Sequence, residues 1–176
     1  KQLLGDPQNL EDDTYEYFEY ATNNSTWIIN KVKNYTLYGS DNQTKFRQTL
    51  YYYDNLVYGG SPTKGSITKK EEWLSGGTNP LTFYGYDSHG NLINSTDALG
   101  RVTKYIYGLR DPTNTFVDQT VNSKGHVSNY IYNLGTGNIL SEIDQNGFSH
   151  NYTYDSFGRI TNEISPYDSF IYPTIN

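Results

Sequence analysis

Tyr84-Gly85-Tyr86-Asp87-Ser88-His89-Gly90-Asn91-Leu92 is followed by Thr96-Asp97-Ala98-Leu99-Gly100-Arg101-Val102-Thr103 and then by Tyr105-Ile106-Tyr107. The same vocabulary returns at Tyr130-Ile131-Tyr132-Asn133 and at Tyr152-Thr153-Tyr154-Asp155-Ser156-Phe157-Gly158-Arg159-Ile160-Thr161. Repetition inside one chain fixes the architecture before any single residue is interpreted. It also gives each repeated residue a structural reason to be present, which lowers the odds of an active site.

The turns of the repeat come first. Asp87 to Gly90, Asp97 to Gly100, Asn122 to Gly125, Asp144 to Gly147 and Asp155 to Gly158 share one form, Asp or Asn followed three residues later by Gly. The side-chain oxygen of Asp or Asn accepts a hydrogen bond from the backbone two residues on. Glycine in the fourth position takes the left-handed conformation that follows a type I turn. Together they predict hairpin loops with a Gly bulge. Asn133-Leu-Gly-Thr-Gly137-Asn138 and Asp111-Pro112-Thr113-Asn114 supply turns in the two longer gaps. Turn signals this regular predict a meander of short strands.

Between turns, Tyr84/Tyr86, Tyr105/Tyr107, Tyr130/Tyr132 and Tyr152/Tyr154 stand two residues apart. Each pair therefore lies on one face of its strand. Val102-Thr-Lys-Tyr-Ile-Tyr107 and Val127-Ser-Asn-Tyr-Ile-Tyr132 are rich in β-branched and aromatic residues, as strands are. Alanine occurs only at Ala21 and Ala98, so the best helix former is nearly absent. The expectation is an all-β chain with almost no helix.

Residues 84–107 resemble the YD-repeat (Rhs-repeat) family closely, and residues 118–164 do so with substitutions such as Asn133 and Phe148. The residues that carry the resemblance are Tyr84, Tyr86, Asp87, Gly90, Asp97, Gly100, Arg101, Tyr105 and Tyr107, then Tyr130, Tyr132, Asp144, Gly147, Tyr152, Tyr154, Asp155, Gly158 and Arg159. Tyr51-Tyr-Tyr53-Asp54 looks like a degenerate repeat. Gly59 to Lys69 with Glu71-Glu-Trp73 is similar to the segment that precedes the repeats in the large B components of bacterial toxin complexes. The resemblance implies a β-sheet that spirals into a hollow shell, enclosing a toxin in toxin complexes and Rhs effectors, or part of an adhesion ectodomain in teneurins. Rhs proteins commonly carry an Asp-Pro-x-Gly self-cleavage motif after the shell. Here Asp111-Pro112 is followed by Thr113-Asn114 inside the repeats, so no catalytic residue is carried over.

On these readings the chain divides into an N-terminal strand segment (1–58), a Gly/Ser/Thr/Lys-rich loop leading into the repeats (59–80), the repeat region (81–164) and a tail or end strand (165–176). In the first segment, Thr14 to Tyr20, Trp27 to Tyr38 and Lys45 to Tyr53 read as strands, with turns at Asn23-Asn-Ser25 and Gly39-Ser-Asp-Asn42. One sheet is expected to continue through 59–80.

The chain has 176 residues, which suits one domain, and only 35% of them are hydrophobic, with 19 tyrosines. A thin sheet of stacked Tyr, Ile, Val and Leu fits this better than a compact aliphatic core, because Tyr buries a ring while its hydroxyl seeks a partner. The net charge of −6 argues against nucleic acid, which calls for basic patches, and gives no sign of attraction to an anionic membrane. No stretch approaches the ~20 apolar residues of a membrane span. The chain begins at Lys1 with no initiator Met or signal-like run, and reads as a mature or excised segment. Cysteine is absent, which removes disulfides and thiol chemistry.

Asn23, Asn24, Asn34, Asn42, Asn94 and Asn151 each begin an Asn-x-Ser/Thr triplet and are candidate N-glycan acceptors of an exported protein. A chain this rich in Asn, Ser and Thr also makes such triplets by chance. His89, His126 and His150 are the only histidines; none forms helix-type metal spacing, and His89 and His126 fall in turns. Gly135-Thr-Gly137 lacks the following Gly or Lys of a phosphate loop, and no Gly-x-Ser-x-Gly elbow occurs. Glu11-Asp12-Asp13 offers oxygen ligands of the type Ca²⁺ takes, but reads first as a solvated terminal run. No cofactor, metal site or catalytic group is expected.

The chain thus reads as an extracellular, non-enzymatic structural protein. It is expected to self-associate through edge strands or chain ends into a filament or sheath, or to continue into a longer chain. The alternatives are a segment of a toxin-encapsulating Rhs shell, and a cell-surface adhesion or glycan-binding module in which exposed Tyr rows stack on sugars.

Overall fold

The computed structural model describes residues 2–4 and 13–166. The expected tail or end strand at 165–176 lies, beyond Pro166, outside the described residues. The strands are β1 (Gln2–Leu4), β2 (Thr14–Asn23), β3 (Ile28–Tyr38), β4 (Lys45–Tyr53), β5 (Ile67–Glu72), β6 (Leu81–Tyr86) and β7 (Leu92–Thr96). They continue as β8 (Val102–Tyr107), β9 (Val117–Val121), β10 (Val127–Tyr132), β11 (Ile139–Ile143), β12 (Ser149–Tyr154) and β13 (Ile160–Ile164). Strand order is chain order, and the only helical turn among the described residues is a 3₁₀ turn at Asn24–Thr26. The fold is all-β and antiparallel, as the turn spacing predicts.

The chain divides into two compact units. One holds residues 1–85 with 95–100, and the other residues 86–94 with 101–176. In the first, β2 pairs with β3 from Tyr15↔Tyr38 to Asn23↔Ile28, β3 with β4, β4 with β5 and β5 with β6, all antiparallel. In the second, β8 to β13 pair in turn in the same sense. Bulges recur near strand ends, at Ile106/Tyr107, Ile131/Tyr132 and Thr153/Tyr154, where an extra residue adds local twist.

Two boundaries differ from the sequence reading. The 59–80 stretch is not all loop, because β5 occupies Ile67–Glu72. Its Lys and Glu residues hide the strand, since they hold aromatic neighbours across the sheet. Lys69 Nζ lies 3.5 Å from the centre of the Tyr52 ring, and Tyr52 Oη donates to Glu71 Oε2 at 2.7 Å. The sheet does run through this stretch, with β4, β5 and β6 paired in succession. The second correction is Trp27, which precedes β3 because it takes a left-handed backbone (φ 57°) as the cap of the 3₁₀ turn.

The repeat turns share one geometry. In the 87–91 loop, Asp87 N donates to Asn91 O at 3.0 Å and Gly90 N to Asp87 O at 3.2 Å. The same two bonds recur from Asn122 (3.0 and 2.9 Å), Asp144 (2.8 and 3.0 Å) and Asp155 (2.9 and 3.0 Å). Gly147 has φ 85° and open space where a Cβ would stand, whereas a Cβ on Gly108 (φ 78°) would collide with Asn114 Oδ1. Little is buried: among the described residues the buried apolar side chains are Ala21, Tyr53, Ile164 and Pro62. Order comes from ladders and turns more than from a centre.

Gly147→Ala is expected to cost about 1–2 kcal/mol, the penalty of a left-handed non-glycine residue alone. Gly108→Ala must in addition displace the Asn114 side-chain amide and is expected to cost more. Urea midpoints at constant slope measure both; equal losses would contradict this account of the two turns.

Candidate functional site

Each repeat turn is closed by a side chain as well as by backbone. Asp87 Oδ1 accepts from His89 N at 2.8 Å and Asn91 N at 2.9 Å. Asp144 Oδ1 does the same for Asn146 N and Phe148 N, both at 2.8 Å, and Asp155 Oδ1 for Phe157 N (2.9 Å) and Arg159 N (3.0 Å). Asn122 Oδ1 accepts from Lys124 N and His126 N, and Asp97 Oδ1 from Leu99 N at 2.9 Å. Arg159 returns to its turn, with Nη2 2.6 Å and Nε 2.7 Å from Asp155 Oδ2. The Phe148 amide holds the Asp144 carboxyl below its ordinary range, and the Arg159 amide does so for Asp155. At Asp87 burial pulls the other way, but bonds from Asn91 and His89 prevail and the carboxyl is again held low. These aspartates are engaged as turn acceptors.

The repeat tyrosines fall on one face of the second unit. Tyr105 stands opposite Thr120, which stands opposite Ser128, while Tyr130 stands opposite Glu142, which stands opposite His150. Strand alternation then puts Tyr105, Tyr107, Tyr130, Tyr132, Tyr152 and Tyr154 together. They are half-buried. Tyr107 Oη donates to Leu92 O (3.2 Å) and Tyr154 Oη to Ile139 O (2.7 Å), each fifteen residues back along the chain. In the first unit, Tyr53 Oη donates to Val32 O at 2.6 Å. The Tyr132 ring stacks on Phe116 at 4.9 Å. Burial raises the phenols of Tyr107, Tyr132 and Tyr152. The opposite face carries polar side-chain bonds, Gln119 Nε2 to Asn129 Oδ1 at 2.8 Å and Ser141 to Ser149 at 3.1 Å. Tyr84 and Tyr86 lie in β6, and Gly100 and Arg101 flank the start of β8.

Three further carboxylates do more than the sequence reading assigned: Asp111 forms the expected turn, with Asn114 N donating to its carbonyl at 3.1 Å, but the burial of Asp111 and Asp118 and the loop gathered by Asp54 were not read. Asp111 and Asp118 are each 2% exposed. Asp111 accepts from Thr113 N (2.9 Å), Thr113 Oγ1 (2.6 Å), Thr115 N (2.7 Å) and Phe116 N (3.1 Å). Asp118 accepts from Leu109 N at 2.7 Å and Arg110 N at 3.3 Å, with the Arg110 guanidinium 3.8 Å away. Between them they pin both ends of the 108–116 loop. Asp54 gathers four successive amides of the first unit, Thr63 (2.7 Å), Lys64 (2.8 Å), Gly65 (3.1 Å) and Ser66 (2.9 Å). Burial pushes the Asp54 carboxyl up, but these bonds outweigh it and hold it low. The Thr113 hydroxyl, with the loop amides behind it, overcomes burial to hold Asp111 down to about 2 from 3.8. The sequence signal was present in Asp111-Pro112-Thr113, where Asp precedes a turn-forming Pro, but nothing in it announces full burial.

The remaining candidates do not converge. His89 lies 3.6 Å from Asp87, and His150 3.9 Å from Glu163. Among the described residues no group of three His, Asp or Glu side chains is placed to hold a metal ion. Asp13 is buried at 4% exposure, at the entry to β2, which corrects the solvated reading of the acidic run at that residue; Glu11 and Asp12 lie outside the described residues. Two open concavities mark the first unit. One, of about 350 Å³, is lined by Phe18, Val32, Tyr35, Tyr51 and Tyr53, and the other, of about 550 Å³, by Pro80, Leu81, Phe83 and Ala98. No helix among the described residues is long and apolar enough to cross a membrane.

The six sequons sort by position. Asn24 and Asn42 sit in exposed turns, and Asn23 caps the 3₁₀ turn by accepting from Ser25 N at 3.1 Å. Asn34, Asn94 and Asn151 lie within strands. Asn34 is bonded to Glu19, Thr36 and Gln48, and its sequon threonine, Thr36, is 3% exposed.

Comparison with known proteins agrees with this geometry. Residues 86–112 match the RHS Repeat family model. No curated protein matches the sequence. Among solved structures, the fold is similar to that of TcdB2-TccC3-Cdc42, with TM-score 0.59 and 14% identity over 86% of this chain and 11% of that one. TcdB2-TccC3 gives TM-score 0.58 and 13% identity over 86% of this chain and 11% of that one. TcdB2-TccC3 without its hypervariable C-terminal region gives 0.59 and 14% over 86% and 10%. The chain thus spans about a tenth of the length of the solved chains it matches.

Asp111 is expected to stabilise its loop fully above its unfolded pKa of 3.8 and to lose that contribution as pH falls toward about 2. Melting of wild type and Asp111→Asn across this range should show the gap closing at low pH; a gap independent of pH would contradict it. In a glycosylating secretory host, mass spectrometry is expected to find glycan at Asn42 and none at Asn34.

Proposed function

We propose that this chain is a wall segment of a YD-repeat shell, a non-enzymatic β-sheet element of a larger assembly outside the cell. The carrying observation is the thinness of each unit. Strands pack against their sequence neighbours, Ala21, Tyr53, Ile164 and Pro62 are the apolar side chains found buried among the described residues, and large side chains such as Phe83 and Leu140 stay exposed on strands. A layer of this kind has no independent interior to house chemistry; it gains cover by extension. The RHS repeat at 86–112 and the fold likeness to about a tenth of far longer chains support the same reading.

In this role the turn carboxylates set register and the hydroxyls of Tyr107 and Tyr154 tie each strand to the one before it, so the wall is stiff segment by segment. An exported location goes with it. A self-assembling filament is the second reading, favoured by the tendency of open sheets to pair at their edges. The glycan-platform reading draws less support, because the repeat tyrosines are half-buried and Tyr107 and Tyr154 spend their hydroxyls on backbone carbonyls.

Negative-stain electron microscopy of native material, with intact mass on the same sample, tests the proposal. Hollow particles from a chain far longer than this one are expected. Filaments built from a subunit of this length would replace the shell by the filament reading. Small monodisperse particles would defeat both.

A further inference from the structure

Trp27 combines two unfavourable features. Its backbone is left-handed, at φ 57° and ψ 28°, a conformation costly for any residue with a Cβ and rare for bulky ones. Its side chain is 87% exposed, so no packing within the described chain offsets the strain. Strain kept without local compensation marks positions held for another purpose.

The surroundings are built. The 54–66 loop is fastened to the turn that carries Trp27, because Pro62 O accepts from Asn23 Nδ2 at 2.9 Å and from Thr26 Oγ1 at 3.4 Å. Pro62 is fully buried, and Asp54 gathers the next four amides. The loop's outer turn, closed by Gly60 N to Val57 O at 3.0 Å, displays Val57 at 81% exposure, and Ile29 follows Trp27 at 63%. The two segments joined by these bonds therefore form a corner that holds Trp27, Ile29 and Val57 in water.

The corner also reverses the sign of the chain. Residues 23–31 and 54–66 contain Lys31, Lys64 and Asp54 in a chain of net charge −6, and the neighbouring Glu19, whose charge reaches Tyr58, is paired with Lys33 at 3.6 Å. The Asp54 oxygens are turned to amides, while Lys64 is exposed. An indole beside aliphatic side chains and lysines is the composition of a lipid-interface anchor: the ring sits at headgroup depth and the cations meet anionic headgroups.

We propose that this corner docks peripherally on an acidic phospholipid surface, with Trp27 as the anchor and Lys31 and Lys64 as the charge contacts. This goes beyond the wall reading and stands apart from it. The test uses the unglycosylated full chain with vesicles of phosphatidylcholine and phosphatidylserine, and Trp27→Gly as the variant. Wild type is expected to float with the vesicles, to shift its tryptophan emission to the blue, and to release as salt rises. Trp27→Gly is expected to lose binding by about tenfold or more, the scale for removing an aromatic anchor, while its melting temperature rises because the strain is relieved. Trp73, retained in the variant with Lys45 Nζ 4.4 Å from its ring centre, serves as the internal emission control. Absence of flotation, or flotation unchanged in Trp27→Gly, would overturn the proposal. So would a concentration-dependent mass increase in solution that Trp27→Gly abolishes, which would assign the corner to contact between copies.

Discussion

The structure depends on a carboxylate or amide oxygen that replaces solvent at each repeat turn. A short hairpin loop leaves backbone amides facing inward with no ladder partner, and unpaired amides are costly. Asp87, Asn122, Asp144 and Asp155 each take two of them, at the second and fourth positions after their own. With glycine left-handed beside them, the loop has one length and one geometry. Loop geometry fixes register, and register decides which side chains share a face. The common tyrosine face of the second unit is therefore a consequence of its turns.

That face explains how a sheet with so little interior holds together. A tyrosine ring covers its neighbours across the sheet while its hydroxyl reaches a carbonyl one hairpin away, as in Tyr154 to Ile139 and Tyr107 to Leu92. Each such bond adds about 1 kcal/mol net, and the contribution is local to each hairpin. Stability of this kind accumulates with repeats, as expected of quasi-one-dimensional architectures. It suits the proposed wall, whose task would be extent.

Much of this was legible because the repeat makes the same statement several times. Asp-x-x-Gly turns, Tyr-x-Tyr strands and the lack of alanine lead to an antiparallel all-β meander without reference to coordinates. What stayed hidden was long-range and unrepeated. β5 reads as polar loop because its Lys and Glu residues cover tyrosine rings rather than solvent. Asp111 and Asp118 look like surface aspartates, and become buried because an entire loop wraps its amides around them. Trp27 reads as the first residue of a strand, and only the 3₁₀ turn before it shows the left-handed cap. In each case the deciding partner is supplied by chain geometry that no local pattern specifies.

The most direct test of the central claim is a long-range HNCO experiment that detects couplings across hydrogen bonds to side-chain carboxyl carbons. The account predicts cross-peaks from the amides of His89 and Asn91 to Asp87 Cγ, from Asn146 and Phe148 to Asp144 Cγ, and from Phe157 and Arg159 to Asp155 Cγ. If those amides couple only to backbone carbonyls, the turn carboxylates do not set the register and the account fails at its base.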